Sequence, residues 1–239
     1  MSAGVNHPTH HPTVGGDLLY KNKSVKLVVM DFIQGRTYLD NDIPVTGIDL
    51  TKIVDQAVKI NRITYRPDYL SDSWAIPNIH VMYKSVQDFL SSEDKSLINQ
   101  VLQKYRKIDV SKLPHSFVHG DIIKGNVIKA DDGSIYIIDF SVANWYPRIQ
   151  EIAVIASSLL GGYDDSISLQ DRIDKIVAIY EKNTKLDDYE HSALHSYALA
   201  ALAMELMGAI QEKHLKHSES PENDYWLELG REGLKRELA

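Results

Sequence analysis

Apolar positions along the chain change their spacing twice, and each change marks a different kind of element. Residues 17–20 and 25–30 are short β-type runs on either side of the polar stretch 21–24, a pattern that predicts a hairpin. Residues 31–35 follow, with Gly35 read as the end of the strand. Helical spacing then takes over at Leu50, Ile53, Val54, Ala57 and Val58, predicting a helix over residues 49–62. Residues 64–77 hold two prolines with Tyr65, Tyr69 and Trp74, and read as an ordered loop. Leu97, Ile98, Val101, Leu102 and Tyr105 share one face of a helix over 93–107. Ser91, with Asp94 three residues on, resembles a capping box at its start.

Extended pieces return at 116–118 and 125–129, and Asp132-Gly133 signals a turn before a buried-looking strand over 135–139. After Pro147 a helix runs to about residue 160 and stops at Gly161-Gly162. Three more helices are expected over 169–181, 187–213 and 221–238. Residues 1–16, with Pro8, Pro12, Gly15 and Gly16, are loop-like. The fold class this implies is α+β and mainly helical.

Composition narrows the function more by exclusion than by selection. The 239 residues are 44% apolar and 25% charged, as in an ordinary globular protein. A net charge of -7 argues against a nucleic-acid or anionic-membrane surface. The absence of cysteine removes disulfides, thiolate nucleophiles and cysteine zinc sites, and fits a cytoplasmic location. The most apolar stretch, 197–210, carries Glu205 and falls short of the roughly 20 residues of a membrane span, so a buried helix is expected. His191 and His195 have metalloprotease spacing, but Ser192 stands where that motif needs glutamate.

Chemistry concentrates in residues 119–140. His119-x-Asp121-x4-Asn126 puts an aspartate and an asparagine five residues apart on one loop. The hairpin that follows returns the chain so that Asp139, at a strand end, faces the same place. Phosphoryl transfer needs this kind of set: a carboxylate beside the acceptor hydroxyl, and oxygen ligands for magnesium on the triphosphate.

With its His-Gly-Asp start and Ile138-Asp139-Phe140, this arrangement resembles the aminoglycoside phosphotransferase/choline kinase family, a branch of the protein-kinase-like fold. Residues 28–35 look like that family's hinge between lobes, and residues 146–153 like the helix after its metal aspartate. The resemblance implies an ATP- or GTP-dependent, Mg²⁺-dependent kinase acting on a small-molecule hydroxyl. It makes Asp121 the catalytic base, Asn126 and Asp139 the metal ligands, and Asp31, Phe32 and Ile33 the lining of the adenine site. His119 would brace the loop. Residues 1–35 would be a remnant of the amino-terminal lobe (hairpin and hinge), and 36–239 the helical catalytic lobe.

Three departures from the family qualify this. Ile122, Ile123 and Lys124 replace the usual residues after the aspartate, with Lys124 expected in solvent. Gln150 and Glu151 stand where an anchoring aspartate is common. No glycine-rich loop or strand lysine precedes the hairpin, and residues 1–8 read as the end of a helix of the missing lobe. That last feature motivates a second reading: a silent kinase-like remnant serving as a binding module or as half of a split enzyme. It would pair with a second copy or with a partner supplying the lobe.

Overall fold

The computed structural model describes residues 3–41, 44–69, 71–162 and 166–238. Its amino-terminal part is built of very short strands. β1 (His10–His11) pairs antiparallel with β4 (Val29–Met30), and β2 (Tyr20–Lys21) pairs with β3 (Lys26–Leu27). The hairpin expected over 17–30 is thus present, with a second ribbon formed by histidines that the sequence placed in a loop. Residues 3–8 form no helix. They lie along the body, where Asn6 accepts from Ile137 N and donates from Nδ2 to Ile135 O.

Gly35 opens a strand where an ending was expected. β5 (Gly35–Thr37) pairs with β7 (Val127–Ala130), which pairs in turn with β8 (Ile135–Ile137). A Cβ on Gly35 would stand 2.4 Å from Lys129 O, so only glycine lets the two backbones approach this closely. Another ribbon, β6 (His115–Val118) with β9 (Asn144–Pro147), brackets residues 119–143.

The rest is helical: α1 (Tyr38–Asn41), α2 (Gly47–Asn61), α3 (Ile79–Val86), α4 (Ser92–Tyr105), α5 (Ile149–Val154), α6 (Leu169–Tyr180), α7 (Asp188–Leu215) and α8 (Pro221–Leu238). Six of them answer to expected helices; α1 and α3 are additional. Ser91 caps α4 by accepting from Asp94 N, as its sequence predicts. α5 runs directly into a π turn over Ile155–Leu159. α7 is the central helix, with Tyr197, Ala198, Leu199, Ala200 and Ala203 fully buried around its girth. It is long and apolar enough to cross a membrane, yet most of it is covered by the other helices.

Ion pairs fix the helices that matter for the site. Arg148 donates from Nε and Nη2 to both oxygens of fully buried Glu190, each at 2.6 Å, tying the start of α5 to α7. Glu190 is also half of the capping box that Asp187 makes at the start of α7. Arg231 grips buried Asp94 at 2.8 and 3.0 Å, locking α8 to α4.

Candidate active site

The loop between β6 and β7 is held from beneath by residues remote in sequence. Glu151, on α5 and fully buried, accepts the backbone N–H of His119 through Oε1 and that of Gly120 through Oε2. Burial pushes its carboxyl up to about 8, against the pull of those two donors. The expected anchor is therefore a glutamate reaching backbone amides. His119 Nδ1 accepts from Asp121 N at 3.2 Å, which leaves Nε2–H to donate to Ile138 O at 3.0 Å. Burial lowers its pKa to about 4, in keeping with that neutral tautomer. The Phe140 ring packs edge-on against it, centroids 4.5 Å apart. His119 thus joins the two strand ends that carry Asp121 and Asp139.

Asn126 closes the loop. Its Nδ2 donates to Asp121 O at 3.0 Å and to Asp121 Oδ2 at 2.7 Å, while its own carbonyl accepts from Ile138 N. Asp139 sits in the left-handed region at φ 63°, and its Oδ1 accepts from Ser141 N. Left-handed non-glycine residues carry a conformational cost and gather at functional sites. Asp121 and Asp139 are close enough to couple: burial first, then the charges of Asp139 and Asp72, push Asp121 up to about 6. The three residues read from the loop and hairpin therefore meet at one place.

The donor set suits a hard cation held jointly with phosphates. With Nδ2 turned to Asp121, Asn126 presents its amide oxygen, and Asp139 keeps Oδ2 outside its turn hydrogen bond. Among the described residues, no group of three or more His, Asp or Glu side chains forms a complete cage. Magnesium in phosphoryl-transfer sites takes only one or two carboxylates, with substrate oxygens and water completing the shell. Asp139 and Asn126 fit that pattern.

Asp31, Phe32 and Ile33 lie elsewhere, immediately after β4. Asp31 accepts from His11 Nε2 at 2.6 Å and donates its N–H to Thr9 O, and Phe32 is 80% exposed. None of the three lines the cavity that holds Asp121. They connect to the loop through β5, whose partner strand follows Asn126 directly.

Lys124 is not solvated. It is 2% exposed, donating to Gly161 O at 2.7 Å and to the Tyr225 hydroxyl, with its ammonium 5.1 Å from the Tyr225 ring centroid. It ties the loop that carries Asp121 to the turn after the π segment and to α8. The cavity beside Asp121 has a volume of about 360 Å³. The loop of residues 64–77 supplies Asp72, Trp74 and Ile76 to its wall, α7 supplies Glu205, and α8 supplies Glu222 and Trp226.

A family described as "Phosphotransferase enzyme family" matches residues 4–176. No curated protein matches the sequence. Among solved structures, a spectinomycin phosphotransferase bound to ADP and spectinomycin is similar over 99% of this chain and 78% of its own, at 16% identity and a TM-score of 0.66. A microcompartment-associated aminopropanol kinase aligns over 99% and 77%, at 14% identity and a TM-score of 0.67. A choline kinase from Streptococcus pneumoniae aligns over 96% and 74%, at 12% identity and a TM-score of 0.64. At these identities the likeness is one of fold, the protein-kinase-like α+β fold read from the sequence.

Proposed function

The chain belongs to the phosphotransferase enzyme family, and from that premise we propose that it transfers the terminal phosphoryl group of ATP or GTP to a hydroxyl of a small cationic alcohol. The observation that carries this reading is the contact of Asn126 Nδ2 with Asp121 Oδ2 at 2.7 Å, made beside Asp139 at the edge of the cavity. Asp121 orients the acceptor hydroxyl and takes its proton, a role that its raised pKa near 6 suits. Asp139 and Asn126 hold Mg²⁺, which neutralises charge on the phosphates when bound. Glu151 and His119 act through the loop, keeping Asp121 and Asp139 in register. Backbone groups of Asp31, Phe32 and Ile33 receive the adenine. Spectinomycin, aminopropanol and choline, named with the similar structures, are all alcohols that carry a cationic nitrogen, and five carboxyls line this cavity: Asp72, Asp121, Glu205, Glu212 and Glu222. The cysteine-free sequence supports a cytoplasmic setting.

The test is ADP release from Mg-ATP over a panel of amino alcohols. Asp121→Ala should lower turnover by at least about 100-fold with the circular dichroism and Tm unchanged; full turnover in that variant rejects the assignment. A second reading is favoured by the exposure of Leu18, Tyr20, Leu27, Val29, Met30 and Phe32 around the two ribbons. In it the chain is a silent binding module or half of a split enzyme, and these side chains pair with another chain. Absence of Mg-ATP binding by titration would select it.

A further inference from the structure

A second cleft, of about 450 Å³, runs beside α2, and no residue of the phosphoryl-transfer scheme lines it. Lys52, Gln56, Lys59 and Arg62 recur at intervals of three or four residues along α2 and its C-terminal cap. That spacing puts them on one face of the helix, and all four line the cleft. Among the described lining residues, Asp55 carries the only carboxyl. In a chain with a net charge of -7, this cationic stripe runs against the general balance.

Lys52 donates to Gly133 O at 2.6 Å, and Arg62 donates from Nη2 to Asn183 O at 2.7 Å. Lys59 is half-buried, yet its ammonium makes no hydrogen bond or ion pair among the described residues. Asp55 stands four positions before it, within reach of a helix ion pair, but accepts from Asn183 Nδ2 at 3.3 Å instead. The dipole of α2 favours cations at its C-terminal end, so the stripe alone calls for no ligand. Gln56 supplies the second observation. It is 5% exposed, and its Oε1 accepts from Asn6 N at 2.7 Å, which fixes Nε2 as the remaining group. Nothing among the described residues accepts from that Nε2, and it is not sealed from solvent. A held N–H donor thus opens on the cleft between Lys52 and Lys59.

We propose that this cleft binds a small phosphate ester, its phosphate held by Gln56 Nε2, Lys59 and Arg62. The lining sets three cations against one carboxylate, an excess that the near-dianionic charge of a phosphate monoester at neutral pH matches. Three terminal oxygens can accept from the amide, the ammonium and the guanidinium together, and bonds from charged donors are the strong ones. A cationic ligand is repelled by the same groups, and a neutral polyol leaves Lys59 without a counter-charge. The cleft is larger than the cavity beside Asp121, at about 360 Å³, which leaves room for the organic part of an ester. The claim concerns binding and stands whether or not the chain transfers phosphate.

Isothermal titration of the full chain, with EDTA and no nucleotide, at about 0.15 M salt, compares glycerol 3-phosphate with inorganic phosphate, malonate and glycerol. Glycerol 3-phosphate should bind with a Kd of about 1 mM or tighter. It should bind at least about threefold more tightly than inorganic phosphate or malonate, and glycerol should not bind. Lys59→Gln should weaken it at least about tenfold. Gln56→Glu keeps an acceptor for Asn6 N but puts an oxygen in place of Nε2, and should abolish binding. In the wild-type chain, the side-chain amide resonances of Gln56 should shift along the same titration curve. No binding of glycerol 3-phosphate, unmoved Gln56 amide resonances, or full affinity in Lys59→Gln overturns the proposal. Equal affinity for malonate overturns the choice of phosphate, and equal affinity for inorganic phosphate overturns the ester. The amide resonances need no variant, so a variant that fails to fold leaves the test intact.

Discussion

Glu205 is a half-buried acid in a cavity already crowded with negative charge. Burial pushes its carboxyl up to about 8, the charge of Asp121 adds to that, and the Ser158 hydrogen bond opposes it. Near neutral pH the empty site therefore holds the proton, and binding an ammonium group must expel it. The sign follows: affinity rises with pH until about 8, by up to about tenfold per unit below that value, then levels off. Titrating ethanolamine from about pH 6 to about pH 9 should show that slope. Glu205→Gln should remove it and leave only what other groups such as Asp121 contribute; a flat wild-type profile would deny the proton release.

At this same scale, sequence spacing reveals some residues and hides others. Asp121, Asn126 and Asp139 are legible because one loop and one hairpin hold them together. Glu151 and Lys124 are not, since their partners lie 32, 37 and 101 positions away. The trace of Glu151 in the sequence is a polar pair, Gln150-Glu151, set in an otherwise apolar helix start. For Lys124, solvent is the ordinary lysine environment, and the hydroxyl of a distant tyrosine and the Gly161 carbonyl help to make its burial tolerable.

Among elements, periodicity read the long helices well because each buries a single stripe or is apolar throughout. It missed α3, whose buried Ile79, Met82 and Val86 follow a proline-bearing 3₁₀ turn that looks like the end of a loop. That region matters because Trp74 just before it packs on α7 at Gly208. A Cβ there would lie 2.3 to 2.5 Å from the indole ring, and a rigid ring against a central helix has little room to yield. Gly208→Ala is expected to cost about 1–3 kcal/mol and to displace Trp74 from the cavity wall. A lowered Tm with a raised KM for the alcohol, and little change in KM for ATP, would show both effects. An unchanged KM would separate Trp74 from substrate binding.

For the whole molecule, the helical body is closed by its own core, while the amino-terminal ribbons offer their apolar side chains to solvent. Short two-residue strands leave most backbone groups of residues 9–33 without ladder partners, a state that invites added strands. Sedimentation velocity over a concentration series should reveal self-association or, with cell extract fractions, a bound partner. A monomer at every concentration, in which Leu27→Lys and Val29→Lys change nothing, would remove the pairing idea. The class of fold was readable from the order of strands and helices. How the ribbons lie was not, because pairs of two residues leave almost no periodic trace.

Of the chain's three tryptophans, Trp74 and Trp226 stand on the cavity wall, and the third, Trp145, sits on β9 with Arg66 over its ring. The protein therefore carries a built-in optical probe. Two of its three indoles stand where a guest beside Asp121 would alter their surroundings, so ligand binding should be readable as a change in tryptophan emission.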